Sequence, residues 1–144
     1  MPESLDRTPS DQFCSLPRHL SSASAARVVL RGFLSDLKGG ERYAEAAELI
    51  VTELVAHTVL RPRVPEHLLI DVLFEYTAPS GLRIEVYDTG RVDPGRLPRD
   101  SADPEPGLRL VREFASAWGQ ESSEGELSTS LGWAQLDPPS GTTA

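Results

Sequence analysis

Apolar residues recur at helical spacing in the first third of the chain, while the opposite side of the same stretch is polar. The apolar positions are Ala26, Val29, Leu30, Phe33, Leu34 and Leu37. This spacing predicts an amphipathic helix that buries one stripe of side chains. Gly39 and Gly40 follow directly, and glycine at that place is typical of a helix end.

A second helical pattern runs from about residue 42 to residue 60 and is followed by Pro62 and Pro65, which cannot continue a helix. Its apolar positions are Tyr43, Ala47, Ile50, Val51, Leu54 and Val55. A third, shorter helix is predicted over residues 107–118. Its apolar positions are Leu110, Val111, Phe114 and Trp118.

Between the second and third helices the pattern changes to a period of two. Over residues 68–76, Ile70, Val72, Phe74 and Tyr76 alternate with a more polar set, and the same period recurs over residues 82–87. The two runs are separated by the turn sequence Ala-Pro-Ser-Gly. This arrangement predicts an antiparallel hairpin with one solvent-facing side. Residues 128–136 are predicted as the last strand, and residues 120–123 as a short strand before it.

The order of these elements predicts an α/β (α+β) two-layer sandwich, with a mixed, mostly antiparallel sheet and helices on one face. The predicted domain covers residues 16–137. Residues 1–15 and 138–144 are predicted as flexible tails, because they are polar and carry no periodic apolar pattern. Residues 89–106 contain four prolines and two glycines without any periodicity, which is typical of a lid or binding loop.

Charge and composition then narrow the classes of function. The chain has 14 Lys and Arg against 22 Asp and Glu, a formal charge of −8. This balance argues against binding to nucleic acid or to an anionic membrane. No secretory leader or membrane-spanning apolar run is visible, so we expect a soluble, cytoplasmic protein. Cys14 is the single cysteine, which excludes an internal disulfide and metal sites built from several cysteines.

Asp88 is the polar residue that the strand pattern places most unusually. Alternate residues of a strand point to the same side, so Asp88 shares a face with Leu82, Ile84 and Val86. A carboxylate on a buried face is unfavourable unless another group satisfies it. Gly90 follows and allows a sharp turn or the close approach of a ligand. Asp88 therefore either ends a strand in a turn or binds a ligand.

Two further features have both a structural and a functional interpretation. Glu53 and His57 lie four residues apart and so share one side of the second helix, either as a surface pair or as a base and a ligand contact facing a cleft. Gly107 and Leu108 open the third helix, where backbone N–H groups and the helix dipole favour an anion such as phosphate. Alternatively, Pro106 simply occupies the first turn of that helix.

The order of these features resembles that of the GHKL (Bergerat-fold, histidine kinase-like) ATPase superfamily. Within it, the chain looks most like the small anti-sigma-factor serine kinases of actinobacteria, over residues 15–137. Residues 47–59 resemble the N-box helix of that family, and residues 84–90 resemble its G1 box. Residues 106–111 and 117–119 resemble its G2 box and the helix beyond.

The resemblance implies an ATP-binding regulatory protein that uses Mg²⁺ and phosphorylates a serine of an anti-sigma-antagonist-like partner, thereby releasing a sigma factor. It further implies a homodimer, and an ATP lid formed by residues 89–106. Such a protein would be a serine/threonine protein kinase that regulates transcription.

The resemblance also implies a role for individual residues. Asp88 would bind the adenine amino group, and Gly90 would leave room for the base. Glu53 would be the general base that activates the attacking hydroxyl group. The backbone at Gly107 and Leu108 would contact the phosphates.

The chain departs from the family pattern at the nucleotide site. His57 stands where the family has the Asn that binds nucleotide-associated Mg²⁺, although Mg²⁺ prefers oxygen ligands and imidazole suits Zn²⁺, Cu²⁺ or Ni²⁺ better. Glu105 replaces the first glycine of the G2 box and would repel phosphate. Arg91 and Val92 follow Gly90, where a second glycine is usual.

These departures keep two alternatives to the kinase open. The first is a catalytically inactive module with a degenerate nucleotide site, which binds a sigma factor or another regulatory protein. The second is a metal-dependent enzyme that uses His57 together with Glu53.

Overall fold

The computed structural model describes residues 10–60, 69–78, 80–90, 108–123 and 128–138, and the structural statements below refer to these residues. The strands are β1 (Ser10–Pro17), β2 (Leu69–Thr77), β3 (Gly81–Gly90), β4 (Ala117–Ser123) and β5 (Ser128–Leu136). The helices are α1 (Ser22–Ser35), α2 (Ala44–Val59) and α3 (Arg109–Phe114), and a 3₁₀ turn (Gly40–Tyr43) leads into α2.

The five strands form one sheet in the order β1-β2-β3-β5-β4, and each neighbouring pair is antiparallel. Strand β3 is therefore central, and Asp88 lies opposite Ile70 on β2 and Ser130 on β5. The predicted α+β sandwich with helices on one face is confirmed. The described sheet is antiparallel throughout rather than mixed.

The hydrophobic core lies between the helices and the inner face of the sheet. Its largest fully buried side chains include Leu30 of α1, Ile50 of α2, and Phe74 and Ile84 of the sheet. Phe33 stacks on Phe74 with a centroid distance of 6.1 Å, which joins α1 to β2. No helix among the described residues is both long enough and apolar enough to cross a membrane.

The predicted N-terminal tail over residues 1–15 needs correction, because residues 10–15 belong to β1. This edge strand pairs with β2 along its whole length. Only Cys14 and Leu16 pack against the core, and Phe13 is 56% exposed. The strand is held mainly by backbone pairing with β2. Because few of its side chains are buried, its sequence shows too little alternation of apolar residues to predict a strand.

The third helix is shorter than predicted, and Trp118 lies in β4 instead. After Phe114 the backbone turns extended at Ala115, with φ −88° and ψ 146°. The N–H of Ser116 then donates to Gln135 on β5, and strand pairing begins at the next residue. The predicted hairpin of β2 and β3 and the predicted last strand are both confirmed.

Candidate functional site

Asp88 lies on the inner face of β3 and is 3% exposed, as the strand pattern predicted. Its Oδ1 atom accepts a hydrogen bond from Nη1 of Arg18 at 2.6 Å. The side chains of both residues are 2% exposed, so the pair is a buried ion pair. Hydrogen bonds between two ionised groups are the strong ones in proteins.

The Arg18 guanidinium also contacts the end of α2. Its Nη2 donates to the backbone carbonyl of Thr58 at 2.7 Å. The last carbonyls of a helix lack partners within the helix and carry partial negative charge, so a cation is favourable there. One guanidinium therefore bridges β3 and α2, and it occupies the space between Asp88 and the helix end.

Arg18 supplies Asp88 with the kind of donor that the resemblance assigns to the adenine amino group. The sequence patterns did not single out Arg18. It directly follows β1, the strand that the apolar alternation also missed, and it lies 70 residues from Asp88. No local spacing could have related two residues so far apart.

Glu53 contacts the first turn of α3 rather than His57 or Asp88. Its Oε1 accepts a hydrogen bond from the backbone N–H of Val111 at 2.8 Å. The first N–H groups of a helix have no partner within the helix, so the carboxylate caps α3 from a neighbouring element. The structure thus brings Glu53 and the start of the third helix together, and one oxygen of the carboxylate is already engaged.

His57 contacts the edge strand β4. The Nε2 atoms of His57 and Gln120 are 2.8 Å apart, so the Gln120 amide donates to the imidazole when the ring proton is on Nδ1. A nitrogen ligand at this position does not fit Mg²⁺, which requires oxygen ligands. In the described part of the chain, no three His, Cys, Asp or Glu residues could hold a metal ion together.

Of the remaining predicted site residues, two lie in the described part of the chain and the others do not. Leu108 directly precedes α3 without a side-chain cap hydrogen bond, and its buried side chain belongs to the core. Gly90 ends strand β3. Gly107, Glu105 and residues 91–106 of the predicted lid lie outside the described residues.

An open groove of about 840 Å³ runs along the exposed side of α2, between α1 and α3. Glu53 lines this groove, whereas Asp88 and His57 do not. The three predicted site side chains therefore do not line one common groove. Arg27 of α1 donates to Thr52 Oγ1 across it at 2.8 Å. Hydrogen bonds from Arg31 hold the pKa of the nearby Glu48 below its usual value.

No protein-family model matches the chain, and no curated protein matches it either. A solved structure does: the crystal structure of the RsbU and RsbW domains of Rv1364c from Mycobacterium tuberculosis, with a TM-score of 0.62 and 16% sequence identity. The match covers 90% of this chain and 33% of that chain, so this chain spans about a third of its length. At this identity the likeness shows the fold alone, and it agrees with the predicted α+β sandwich.

Proposed function

We propose that the chain is a regulatory, protein-binding module on a histidine kinase-like fold, which acts on its partner without transferring a phosphoryl group. The observation that carries this proposal is the buried ion pair of Arg18 and Asp88. A nucleotide base that used Oδ1 of Asp88 as its acceptor would have to displace the Arg18 guanidinium from that atom.

The energies involved favour the ion pair. Breaking one partner away from a buried pair costs about 3–5 kcal/mol. A nucleotide that would otherwise bind with a dissociation constant of about 1 μM gains about 8 kcal/mol. Subtracting about 4 kcal/mol leaves a dissociation constant near 1 mM. Displacement of Arg18 alone thus weakens such a site by about a thousandfold.

The other two candidate residues support the same proposal. The Glu53 carboxylate caps α3 through Val111, which ties it to the fold. His57 contacts Gln120 and offers nitrogen where the family pattern has an amide oxygen for Mg²⁺. None of these contacts requires a nucleotide, and each stabilises the packing of the helices with their neighbours.

The proposed partner is a sigma factor or another regulatory protein of the same type. Support comes from the sequence resemblance to anti-sigma-factor kinases. It also comes from the fold shared with the structure that contains the RsbU and RsbW domains. A protein of this fold can keep its partner-binding surface after its nucleotide site has changed, because each function depends on its own site and not on the fold as a whole.

A second candidate function is the ATP-dependent serine kinase that the resemblance implies. The position of Glu53 beside the first turn of α3, and of Asp88 on the inner face of β3, favours it. Glu53 would take the proton of a partner serine as the serine oxygen bonds to the γ-phosphorus of ATP. The bond from that phosphorus to the bridging oxygen would break, and ADP would leave.

Thermal unfolding of the full chain with millimolar Mg²⁺–ATP separates the two candidates. A ligand that binds the folded state must raise the melting temperature by mass action. The binding module predicts no shift. A concentration-dependent rise that is absent in an Asp88→Asn variant would contradict it and favour the kinase. GTP serves as the matched control for unspecific effects of a charged nucleotide.

A further inference from the structure

The outer face of the sheet, turned away from the helices, carries an excess of negative charge. Because neighbouring positions across the strands share a face, the register defines which charged residues lie there. Among the described residues these are Asp11, Asp71, Glu75, Glu85 and Glu121, with Arg83 as the only base. Five acids and one base give this face a formal charge of 1 − 5 = −4.

One part of this face combines apolar side chains with carboxylates. Phe13 of the edge strand β1 lies directly opposite Leu73 of β2. The next outward pair along the strands is Asp11 with Glu75, and Asp71 lies on the other side. We call these five residues the acid-flanked patch.

Two features of the acid-flanked patch are unfavourable for an isolated protein. Asp11 and Glu75 place like charges directly opposite each other on neighbouring strands, which is unfavourable, and Arg83 lies opposite Glu75 on the far side, in β3. Phe13 is 56% exposed at its apolar centre, on β1, which is an edge strand of the sheet formed by the described residues. A bound cation would relieve the first feature, and an apolar contact would relieve the second.

We propose that the acid-flanked patch docks a cationic segment of a partner protein, one of whose apolar side chains covers Phe13 and Leu73. Lysine or arginine side chains of that segment would lie between the carboxylates of Asp11, Glu75 and Asp71. This inference rests on the proposed function in one respect: the partner is a protein. It does not depend on whether the chain binds ATP.

The negative charge of the acid-flanked patch favours a cationic protein segment over a second copy of the chain, a nucleic acid or an anionic lipid. A second copy of the chain on a twofold axis would bring the same three carboxylates against the patch, and like charges in an interface repel. Nucleic acids and anionic lipids carry the same sign of charge as the patch and would be repelled as well. Complementary charge also increases the rate of association with a cationic partner.

The probe is a synthetic peptide that alternates leucine with lysine, titrated into the full-length ¹⁵N-labelled chain and followed by backbone amide shifts. We expect saturable shifts in β1 and β2 that are weaker at higher salt. Phe13→Ser is expected to weaken binding by at least about tenfold, because burial of an aromatic side chain contributes more than one tenfold step. A peptide that alternates leucine with glutamate should not bind.

Val28→Ser is the matched control, because Val28 is 61% exposed on α1, away from the sheet. It should leave the peptide affinity unchanged. The proposal is overturned if both serine variants weaken binding equally, or if the shifts map to the helices. It is also overturned if sedimentation shows a dimer that Phe13→Ser dissociates. Folding of each variant is checked by its amide spectrum. A nucleotide-dependent melting shift would contradict the proposed function and leave this inference standing.

Discussion

Arg18 and Asp88 form an ion pair in which Nη1 and Oδ1 are 2.6 Å apart and both side chains are 2% exposed. Through the same guanidinium, Arg18 also binds the Thr58 carbonyl at the end of α2. The segment after β1, the central strand and the second helix are thereby joined at one point. We expect this contact to stabilise the fold and to keep the Asp88 carboxylate from binding a nucleotide base.

Arg18→Met should destabilise the chain by about 3–5 kcal/mol, because it removes the charge that balances a buried carboxylate. The double variant Arg18→Met/Asp88→Leu should recover most of this loss, since apolar side chains of similar volume can replace a buried pair. Urea unfolding measures both free energies. Arg31→Met is the control, because the Arg31–Glu48 pair is solvent-exposed and should contribute little to stability. Equal losses in the two single variants would contradict the prediction.

Glu53→Ala should destabilise the chain by about 1 kcal/mol, which is typical for the loss of a helix cap. Glu53→Gln should lose less, because its amide oxygen can still accept the Val111 N–H. Hydrogen exchange at the Val111 amide should become faster in the alanine variant only. Glu113→Ala, at an exposed position of α3, provides the control. Unchanged exchange at Val111 in Glu53→Ala would show that the cap is not formed.

Two tyrosines should make the fold sensitive to alkaline pH. Burial raises the pKa of Tyr43 to about 12, and the hydrogen bond to Glu85 together with burial raises the pKa of Tyr87 to about 12. An unfolded tyrosine ionises near pH 10. Above that pH the unfolded state binds fewer protons, so stability is fully present below pH 10 and falls as the pH rises towards 12.

The absorbance of tyrosinate during an alkaline titration measures these two groups. Tyr43→Phe and Tyr87→Phe should each remove one group that titrates near pH 12. Titration of both residues at their ordinary value in the folded chain would show that neither contributes to the alkaline loss of stability.

Gly119→Ala should destabilise the chain by about 1–3 kcal/mol through overpacking. A Cβ atom at Gly119 would lie 2.8 Å from Nε1 of Trp133, so the indole ring would have to move away. The fluorescence of Trp133, measured in a Trp118→Phe background, should report that movement. Gly32→Ala should have the opposite sign, a gain of about 0.5–1 kcal/mol, because its Cβ has open space within α1. Unfolding free energies of the same sign would contradict this pair of predictions.

Most of the fold could be predicted because burial leaves a periodic trace in the sequence. The apolar stripe of α2 and the alternation in β2 and β3 each record which side faces the core. The edge strand β1 leaves almost no such trace, because only two of its side chains pack against the core. Trp118 satisfies the helical spacing and the pattern of a strand equally well, so only pairing with β5 decided its place.

The candidate site could be predicted only in part. The burial of Asp88 follows from its strand face, whereas the contact between Glu53 and the first turn of the third helix did not follow from any pattern. Local spacing carries no information about contacts between distant segments, and Arg18 lies 70 residues from Asp88. The contact between His57 and Gln120 spans 63 residues and was missed for the same reason.

A crystal structure of the full chain, grown with a large excess of Mg²⁺–ATP, tests the central claim most directly. We predict that Nη1 of Arg18 remains in contact with Oδ1 of Asp88, at the 2.6 Å seen here, and that no base density lies beside the carboxylate. Displacement of the guanidinium, with an adenine amino group bound to Asp88 in its place, would contradict the claim and establish a nucleotide site.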